Sequence, residues 1–318
     1  MITYLTHETK HPIALTLDHI ALLKEAVWVD LCSPTDEEQA LFKSHLPIEI
    51  PTKEDMDSIE LSSRLYRIGE RLYMTTMTVA HSKSEEPKLE PVTCILTPTQ
   101  LFTIRYIHPK SFDLFISNIT LLDNLNPISL FVSLIDASID RLADILEFVG
   151  NQLDDYSKIV FHHPSTHKLN YQQLFRQIGA AGDLDTKARE SIITFNRLVT
   201  FFQQTKNTSL EPENQARLTT FTKDISALSE HSTFLSTKIN LLLDATLGMV
   251  NIEQNNIIKL FSVAAVIFLP PTLVASIYGM NFHFMPELSW KYGYVLAIAL
   301  MSIAAWLPYK YFKFKKWL

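Results

Sequence analysis

A row of oxygen-bearing and small side chains recurs at alternating steps of four and three residues towards the end of the chain. Such steps keep residues on one face of an α-helix. The row comprises Asp244, Gly248, Asn251, Asn255, Ile258, Ser262, Ala265, Leu269, Thr272 and Ser276. Oxygen atoms are the ligands that hard cations take. When several copies of one helix surround an axis, a face with oxygen ligands and a few apolar constrictions suits the lining of a cation pore.

Two interpretations of this row are open. Small residues let membrane helices pack closely, and Ser and Thr hydroxyls commonly bond the carbonyls of their own helix. The row continues beyond the apolar segment, however, to Asp244, Asn251 and Asn255. That continuity favours a cation pathway. Because two apolar segments in one chain cannot enclose a pore, a pathway requires a ring of identical subunits.

Two apolar segments lie near the C-terminus, and the first of them contains the row from Ile258 to Ser276. Residues 257–278 carry one charge near their start and are long enough to cross a hydrocarbon core of about 30 Å as a helix. Residues 292–309 are near the lower end of the spanning length. Aromatic residues flank this second segment, as expected for rings at two membrane interfaces: Trp290, Tyr292, Tyr294, Trp306, Tyr309 and Tyr311. We predict two membrane spans.

The distribution of lysines predicts how the spans are oriented. Lys310, Lys313, Lys315 and Lys316 follow the second span, whereas the link between the spans contains only Lys291. The bias of positive charge towards the cytoplasm places the tail inside the cell. With two spans, the N-terminal part is then cytoplasmic as well, and no signal peptide precedes it. We predict a two-span protein of a bacterial inner membrane with both termini in the cytoplasm.

Helical patterns fill the chain from Pro127 to the first span. Apolar residues recur at helical steps up to a break at residues 162–164, and a second helix from Ser165 to Thr205 would pair antiparallel with the first. No proline lies between Pro212 and Pro270, which predicts a helical rod of roughly 85 Å. A heptad-like series interrupted by Ser232 implies that its first half packs on other helices: Leu218, Phe221, Ile225, Leu228, Leu235, Ile239 and Leu242.

The chain before these helices is predicted to be mixed α/β. Runs rich in β-branched and aromatic residues predict strands at residues 26–31, 72–80, 92–96 and 101–106. Turn signals lie at residues 69–70 and 97–99. Thr35 and Thr52 each precede a first turn rich in acid, which predicts two capped helices.

The link between the two spans carries a motif, Tyr278-Gly279-Met280-Asn281-Phe282, followed by Met285-Pro286-Glu287-Leu288. Together with residues 251–255, 268–272 and 315–318, these motifs closely resemble those of the CorA family of magnesium transporters. The resemblance is tightest over residues 240–318. Before that region it rests on size, on the order of elements and on residues 51–65.

The resemblance implies an α+β cytoplasmic domain, with a mixed sheet and flanking helices, joined by a very long stalk helix to two C-terminal transmembrane helices. It also implies a funnel-shaped homopentamer in the lipid bilayer. The expected division is residues 1–126 for the α/β domain, 127–211 for the antiparallel helix pair, 212–278 for the stalk helix and first span, 279–291 for the outer loop, and 292–318 for the second span and basic tail.

The resemblance also assigns roles to positions of the row and of the motif. Gly279, Met280 and Asn281 would form the selectivity filter at the outer mouth. Thr272 and Asn255 would lie deeper in the pore, with Ile258 and Leu269 as apolar constrictions. The remaining pore-lining positions are Ser262, Ala265 and Ser276. A ring of amide oxygens can hold hydrated Mg²⁺ through its waters, and so select it without stripping the ion.

Regulation in the family uses acidic residues at subunit interfaces that bind Mg²⁺ when it is plentiful and hold the pore shut. Asp244 matches such a position, and Asp55 is the candidate partner. Without metal, a ring of Asp244 carboxylates would repel itself and loosen the closed state. The alternative for both residues is an ordinary solvated acid on a helix face. The function expected from the resemblance is passive, potential-driven Mg²⁺ influx gated by cytoplasmic Mg²⁺.

Ion preference is left open by His283, which stands where the family usually has an acid. With Glu287, it belongs to the outer loop through which ions enter. A neutral substitution is one interpretation; another is a preference for softer ions such as Zn²⁺, Ni²⁺ or Co²⁺. The main hypothesis is Mg²⁺ transport, with Co²⁺ and Ni²⁺ as further ions. The alternatives are a zinc-directed transporter of the same superfamily and a non-conducting, membrane-anchored sensor oligomer.

Other classes of function receive no support from the sequence. We find neither a Walker-type phosphate-binding loop nor a nucleophile–base arrangement of known spacing, so we do not expect an enzyme. The net charge of −6 supplies no basic stripe for nucleic acid. Cys32 and Cys94 are expected to be buried thiols. The group His162, His163 and His167 is expected to form a polar turn.

Overall fold

The computed structural model describes the chain apart from residues 10, 47, 59, 61–63, 122–124, 163–169, 207–209, 281–284, 287–289, 316 and 318. For residues 17–19, 121, 162 and 206 it describes the backbone alone. The chain forms two compact units, Met1–Leu243 and Asp244–Leu318.

The first unit is built on a mixed sheet of seven described strands. These are β1 Ile2–Leu5, β2 Ile13–Ala14, β3 Trp28–Cys32, β4 Leu65–Ile68, β5 Arg71–Ala80, β6 Lys88–Leu96 and β7 Leu101–Arg105. Their order across the sheet is β2-β1-β3-β7-β6-β5-β4. Only the central β3–β7 pair is parallel, with Asp30 opposite Thr103. The predicted mixed sheet is therefore confirmed.

Helices cover both faces of this sheet. They are α1 Asp36–His45, α2 Lys53–Asp57, α3 Lys110–Asn118, α4 Pro127–His162 and α5 Tyr171–Lys206, with 3₁₀ turns at Leu17–Lys24 and Ile119–Leu121. On one face, Val29 and Phe102 share a buried core with Phe42 of α1 and Met56 of α2. Successive strand residues point to opposite faces, so neighbouring Trp28 belongs to the other face.

The second face packs on α3 and α5. Trp28 lies edge-on to Phe115 of α3, with ring centroids 4.9 Å apart. The edge of β5 is tied to α5, because the Met77 amide donates to Thr194 Oγ1 at 3.0 Å and Ser191 Oγ donates to the Met77 carbonyl at 2.6 Å. These bonds fix α5 against the sheet.

A buried ion pair lies where the parallel strands meet. Arg105 Nη2 donates to Asp30 Oδ2 at 2.8 Å, and Thr103 Oγ1 donates to Asp30 Oδ1 at 2.6 Å. Both ion-pair partners are nearly inaccessible, at 9% and 3% side-chain exposure. Trp28 Nε1 completes the network by donating to Thr103 Oγ1 at 3.1 Å. Removing one partner of such a pair would leave an uncompensated buried charge, which typically costs about 3–5 kcal/mol.

The long helix α6, Pro212–Tyr278, begins in the first unit and ends in the second. In the first unit it runs parallel to α4, because Arg217 bonds Asp136 at 2.6 Å while Lys238, further along, bonds Asp154 at 2.6 Å. It runs antiparallel to α5, since Gln203 lies beside Leu218 and Gly182 beside Ile239. The buried residues of this half follow the predicted heptad-like series, with Leu228 half-buried and Ser232 inside it.

The second unit contains the rest of α6 and α7, Gly293–Phe314. Both helices are long and apolar enough to cross a membrane by length and composition. In each helix, only 6% of the apolar 18-residue segment is buried. The two helices are therefore not core helices of a soluble domain. The predicted long helix is therefore confirmed, and both predicted spans are confirmed as apolar helices of sufficient length.

Several elements differ from the sequence predictions. Strands β1, β2 and β4 and helix α3 were not predicted; all four are shorter than ten residues. The predicted helix start at Ser165 lies outside the described residues, and the described part of α5 begins at Tyr171, where Asn170 Oδ1 accepts from the Gln173 amide at 3.1 Å. His163 and His167 also lie outside the described residues. Both cysteines are buried thiols, as predicted.

Candidate ion pathway and regulatory residues

The candidate pore-lining row is wholly exposed in the single chain. Each of its ten residues from Asp244 to Ser276 is exposed, including the two large apolar members, Ile258 at 62% and Leu269 at 65%. In isolation these side chains have no packing role within the second unit. Burying them requires lipid or further protein.

A different face of α6 is covered within the second unit. Val263 is 2% exposed, and half-burial recurs at residues 259, 267, 270, 274 and 278. Lys259 on this face places its ammonium 5.1 Å from the ring centroid of Trp317, which follows α7. With 3.6 residues per turn, nine residues correspond to about half a turn beyond two full turns. Thr272 therefore lies opposite Val263, and the exposed row is turned away from the covered face.

The hydroxyl of Thr272 bonds within its own helix. Thr272 Oγ1 donates to the Phe268 carbonyl at 2.7 Å. This is the behaviour expected of Ser and Thr in apolar helices, and it matches the packing interpretation of the row. The same oxygen keeps acceptor capacity, because a hydroxyl carries one donor and two lone pairs. A water held by a hydrated ion can donate to it.

The outer end of α6 is a tight turn at Gly279. Its amide donates to the Ala275 carbonyl at 2.9 Å, and the Met280 amide donates to the Ile277 carbonyl at 3.3 Å. A Cβ at position 279 would come within 3.2 Å of the Ala275 oxygen, so a side chain here would crowd the end of the helix. The other predicted mouth residues, Asn281, His283 and Glu287, lie outside the described residues.

Asp55, a candidate regulatory ligand, forms part of a helix cap in the first unit. Its Oδ2 accepts from the Thr52 amide at 3.0 Å and from Thr52 Oγ1 at 2.7 Å, while Thr52 Oγ1 accepts from the Asp55 amide at 3.2 Å. This reciprocal arrangement is a capping box, which satisfies two exposed helix amides. The bonds from Thr52 lower the pKa of Asp55 below its ordinary value. One carboxylate oxygen is thus engaged, and Oδ1 has no bond to Thr52.

Asp244, the other candidate ligand, is exposed at the start of the second unit. Its helix neighbours Leu242 and Thr246 are each 1% exposed, so Asp244 lies outside the buried face of α6. Among the described residues, no group of three His, Cys, Asp or Glu side chains lies close enough to hold a metal ion. Carboxylate oxygens do suit Mg²⁺ as ligands.

One buried polar cluster was not predicted from the sequence. Asp185 of α5 is 1% exposed and accepts from Ser236 Oγ at 2.7 Å. Ser232, one helical turn earlier on α6, is also fully buried. In the sequence, the interruption of the heptad-like series at Ser232 indicated a polar position on α6. Nothing in the sequence indicated that Asp185 of α5 lies in the same cluster. The cluster makes the contact between α5 and α6 partly polar.

Comparison with known proteins places the chain in a family. The sequence model of the CorA-like Mg²⁺ transporter protein family matches residues 24–316. The chain is 32% identical over 320 residues to the magnesium transport protein CorA of Mannheimia succiniciproducens, covering all of both chains. It is 34% identical over 307 residues to the protein of the same name from Yersinia pseudotuberculosis, covering 96% of each. The chain belongs to the CorA-like Mg²⁺ transporter family, as its motifs predicted.

Solved structures agree with this assignment at the level of the fold. The complete structure of the CorA magnesium transporter from Methanocaldococcus jannaschii superposes with a TM-score of 0.75, covering 100% of this chain and 98% of the other. The sequence identity is 16%, so this likeness speaks for the fold alone. It includes the sheet unit, the long helix and the final apolar helix.

Proposed function

We propose that the chain forms a Mg²⁺ channel in a bacterial inner membrane, and that its pore is lined by the exposed row of α6. The observation that carries the proposal is the position of this row. It lies on an apolar helix, opposite the face that is covered within the second unit, and it holds the polar residues Asn255, Ser262, Thr272 and Ser276. Relatives that align with this chain over nearly their whole length are magnesium transport proteins.

A homopentamer is the assembly that we propose. Several copies of α6 around an axis would turn the row inward, and the α7 helices would form an outer ring in contact with lipid. The exposed apolar residues of the second unit fit such an arrangement, because they need either lipid or neighbouring subunits. Phe261 and Phe268, at 69% and 70% exposure, are on the flank of α6 rather than in the row.

Selection would take place at the outer mouth. Asn281 amide oxygens and the Gly279 carbonyl, with Met280 between them, would hold hydrated Mg²⁺ through its waters. Mg²⁺ releases water reluctantly, so binding the hydrated ion avoids the free-energy cost of stripping it. Asn255 and Thr272 would offer further oxygens, while Ile258 and Leu269 would form apolar constrictions. Closure at such constrictions works by excluding water.

The membrane potential would drive influx without ATP. Moving one charge across 100 mV is worth about 2.3 kcal/mol, so a divalent ion gains about 4.6 kcal/mol. Both chain termini would be cytoplasmic, which puts the sheet unit on the side where Mg²⁺ accumulates. The proposed division stays residues 1–126 for the α/β domain, 127–211 for the helix pair, 212–278 for the stalk helix and first span, 279–291 for the outer loop, and 292–318 for the second span and tail.

Cytoplasmic Mg²⁺ would gate the pore through Asp244 and Asp55 at subunit interfaces. The exposure of Asp244 supports this, as does the Oδ1 of Asp55, which the bonds from Thr52 leave unused. For the transported ion, His283 in place of an acid lowers the negative charge of the outer loop. Co²⁺ and Ni²⁺ are further candidate ions, and a Zn²⁺ preference is the alternative.

The proposal is tested with full-length protein reconstituted in vesicles under an imposed, inside-negative potential. We expect saturable Mg²⁺ uptake that Asn281→Ala reduces strongly. Negligible Mg²⁺ uptake beside ready Zn²⁺ uptake would favour the zinc-directed alternative. Equal flux in wild type and Asn281→Ala would argue against the filter, and absence of flux for every ion would favour a non-conducting sensor.

A further inference from the structure

A cavity of about 410 Å³ opens in the first unit, away from the residues assigned to the ion pathway. It lies where the β5–β6 turn, the start of α3 and the middle of α4 come together. Its described lining is Val79, Ala80, His81, Ser82, Lys83, Ser84, His108, Lys110, Asp113 and Arg141. Ligand sites for small molecules commonly measure about 300–1,000 Å³.

The charge of this cavity is opposite to that of the whole chain. Lys83, Lys110 and Arg141 are cationic, whereas Asp113 is the one carboxylate in the lining, and two histidines add nitrogen donors. The chain as a whole carries a net charge of −6. A surface of average composition in an acidic protein carries more carboxylates than cations. The cations of this cavity come from three separate elements and outnumber its carboxylate, so the cavity has an excess of positive charge.

Two of these cations are outside the ion pairs formed by the described residues. Lys83 and Lys110 form no ion pair with any residue in the described part of the chain. Lys83 Nζ instead lies 5.7 Å from the ring centroid of Phe148. Lys110 is the first residue of α3, and Pro109 before it supplies no side-chain cap. A positive charge at the positive end of a helix is unfavourable; Asp113 in the same first turn offsets part of it, and a bound anion would offset more.

The third cation holds the cavity wall in place. Arg141, whose side chain is 13% exposed, donates through Nη2 to Ser82 Oγ at 2.7 Å and through Nη1 to Asp144 Oδ2 at 3.2 Å. The Ser84 amide and hydroxyl both donate to the His81 carbonyl, at 2.9 and 2.8 Å. The turn that carries Lys83 is thereby anchored to α4, so the cationic wall exists before any ligand binds.

We propose that this cavity binds a soluble anion carrying two or more linked phosphates. Phosphate oxygens accept charge-assisted hydrogen bonds from lysine and arginine, which are roughly twice as strong as neutral ones. A single phosphate would leave part of the cationic excess unmatched, whereas pyrophosphate or tripolyphosphate would engage Lys83 and Lys110 together. The proposal does not depend on ion transport, and nothing in the candidate ion pathway contributes to the site.

The test is isothermal titration of the full-length protein in detergent, without Mg²⁺ and at constant ionic strength, with pyrophosphate, tripolyphosphate and inorganic phosphate as probes. We expect saturable binding that strengthens from phosphate to tripolyphosphate. Lys83→Gln and Lys110→Gln should each weaken tripolyphosphate binding about tenfold, the scale of one hydrogen bond to a charged group. Lys88→Gln, on the same hairpin but outside the lining, is the matched control and should bind like wild type.

A second variant keeps the test independent of folding. Lys83→Arg preserves the charge and should retain binding that Lys83→Gln loses, which a purely structural role would not explain. The absence of saturable tripolyphosphate binding to wild type would overturn the proposal. So would equal weakening by Lys88→Gln, which would indicate general surface charge, or full binding by both Lys83→Gln and Lys110→Gln.

Discussion

Ser236 of α6 donates a hydrogen bond of 2.7 Å to the carboxylate of Asp185 on α5, inside the contact between the two helices. The other oxygen of Asp185 has no hydrogen-bond partner in the described part of the structure. Burial raises the pKa of Asp185 above its ordinary value of 3.8, and the bond from Ser236 opposes that rise. The charged form of Asp185 therefore destabilises the folded first unit.

The raised pKa of Asp185 predicts how stability depends on pH. The folded state binds this proton more tightly than the unfolded state does. The stabilisation of the folded state by protonated Asp185 is therefore fully present below pH 3.8 and is lost as pH rises through the raised pKa. Asp185→Asn should unfold at a higher temperature than wild type near pH 7, with the difference shrinking towards pH 4. Thermal unfolding of the two proteins across this range is the measurement. A constant difference would contradict the assignment to this carboxyl.

The hydrogen bond itself can be tested separately at α6. Ser236→Ala removes a bond to a charged group, which should lower the free energy of unfolding by about 1.5–3 kcal/mol. Ser226→Ala, at an exposed position of the same helix, is the control and should change it little. Equal stability of the two variants would show that the Asp185 contact contributes nothing.

The exposed row predicts which polar changes in the membrane reduce ion flux. Thr272→Val and Ser262→Ala remove hydroxyls from the row and should each lower Mg²⁺ uptake into vesicles several-fold. Ser302→Ala removes a hydroxyl from α7 that likewise bonds its own helix, through the Ile298 carbonyl at 2.8 Å. This control should leave uptake unchanged. A loss of uptake only in Ser302→Ala would place the pathway elsewhere.

Asp244 is predicted to sense cytoplasmic Mg²⁺. High Mg²⁺ should protect the cytoplasmic part of the wild-type protein from protease, and Asp244→Ala should lose most of that protection. Asp224→Ala removes an exposed carboxylate from the same helix and serves as the control. Identical digestion of wild type and Asp244→Ala in high Mg²⁺ would remove Asp244 from the proposed gate.

Asp55 caps a helix and is also proposed to bind Mg²⁺, so the test must distinguish these two roles. Asp55→Asn should lose Mg²⁺-dependent protease protection, whereas Asp57→Asn, at the exposed end of the same helix, should keep it. Thr52→Ala weakens the cap but leaves the Asp55 carboxylate, so Mg²⁺ should still protect this variant. If Thr52→Ala and Asp55→Asn behave alike, the cap explains both and the metal role fails.

Elements that follow from local patterns were predictable from the sequence. The spans depend on uninterrupted apolar runs, and the long helix depends on the absence of proline between Pro212 and Pro270. The helix starts after Thr35 and Thr52 were correct because a capping box is contained within four residues. The turn at Gly69, with φ of 60°, was also correct, since glycine accepts this conformation readily.

Features that depend on distant contacts were not predictable. Strands β1, β2 and β4 contain four residues or fewer, and pairing with longer neighbours defines them. Asp185 and Ser236 are far apart in sequence, so neither residue reveals the other. The cavity gathers Lys83, Lys110 and Arg141 from three elements that only the folded sheet brings together. The row on α6 was predictable as a helix face, but the covered face opposite it was visible only in the folded chain.

Pro270 and Pro271 lie inside α6 without ending it. Proline has no amide hydrogen, so the carbonyls of Val266 and Ile267 lose their usual donors four residues ahead. Two consecutive missing bonds make this the point where the helix bends at the lowest energetic cost. The final turns that lead to Gly279 can therefore tilt relative to the turns just before the two prolines. In the homopentamer that we propose, such a tilt would change the diameter of the ring at Gly279 without moving the other end of α6.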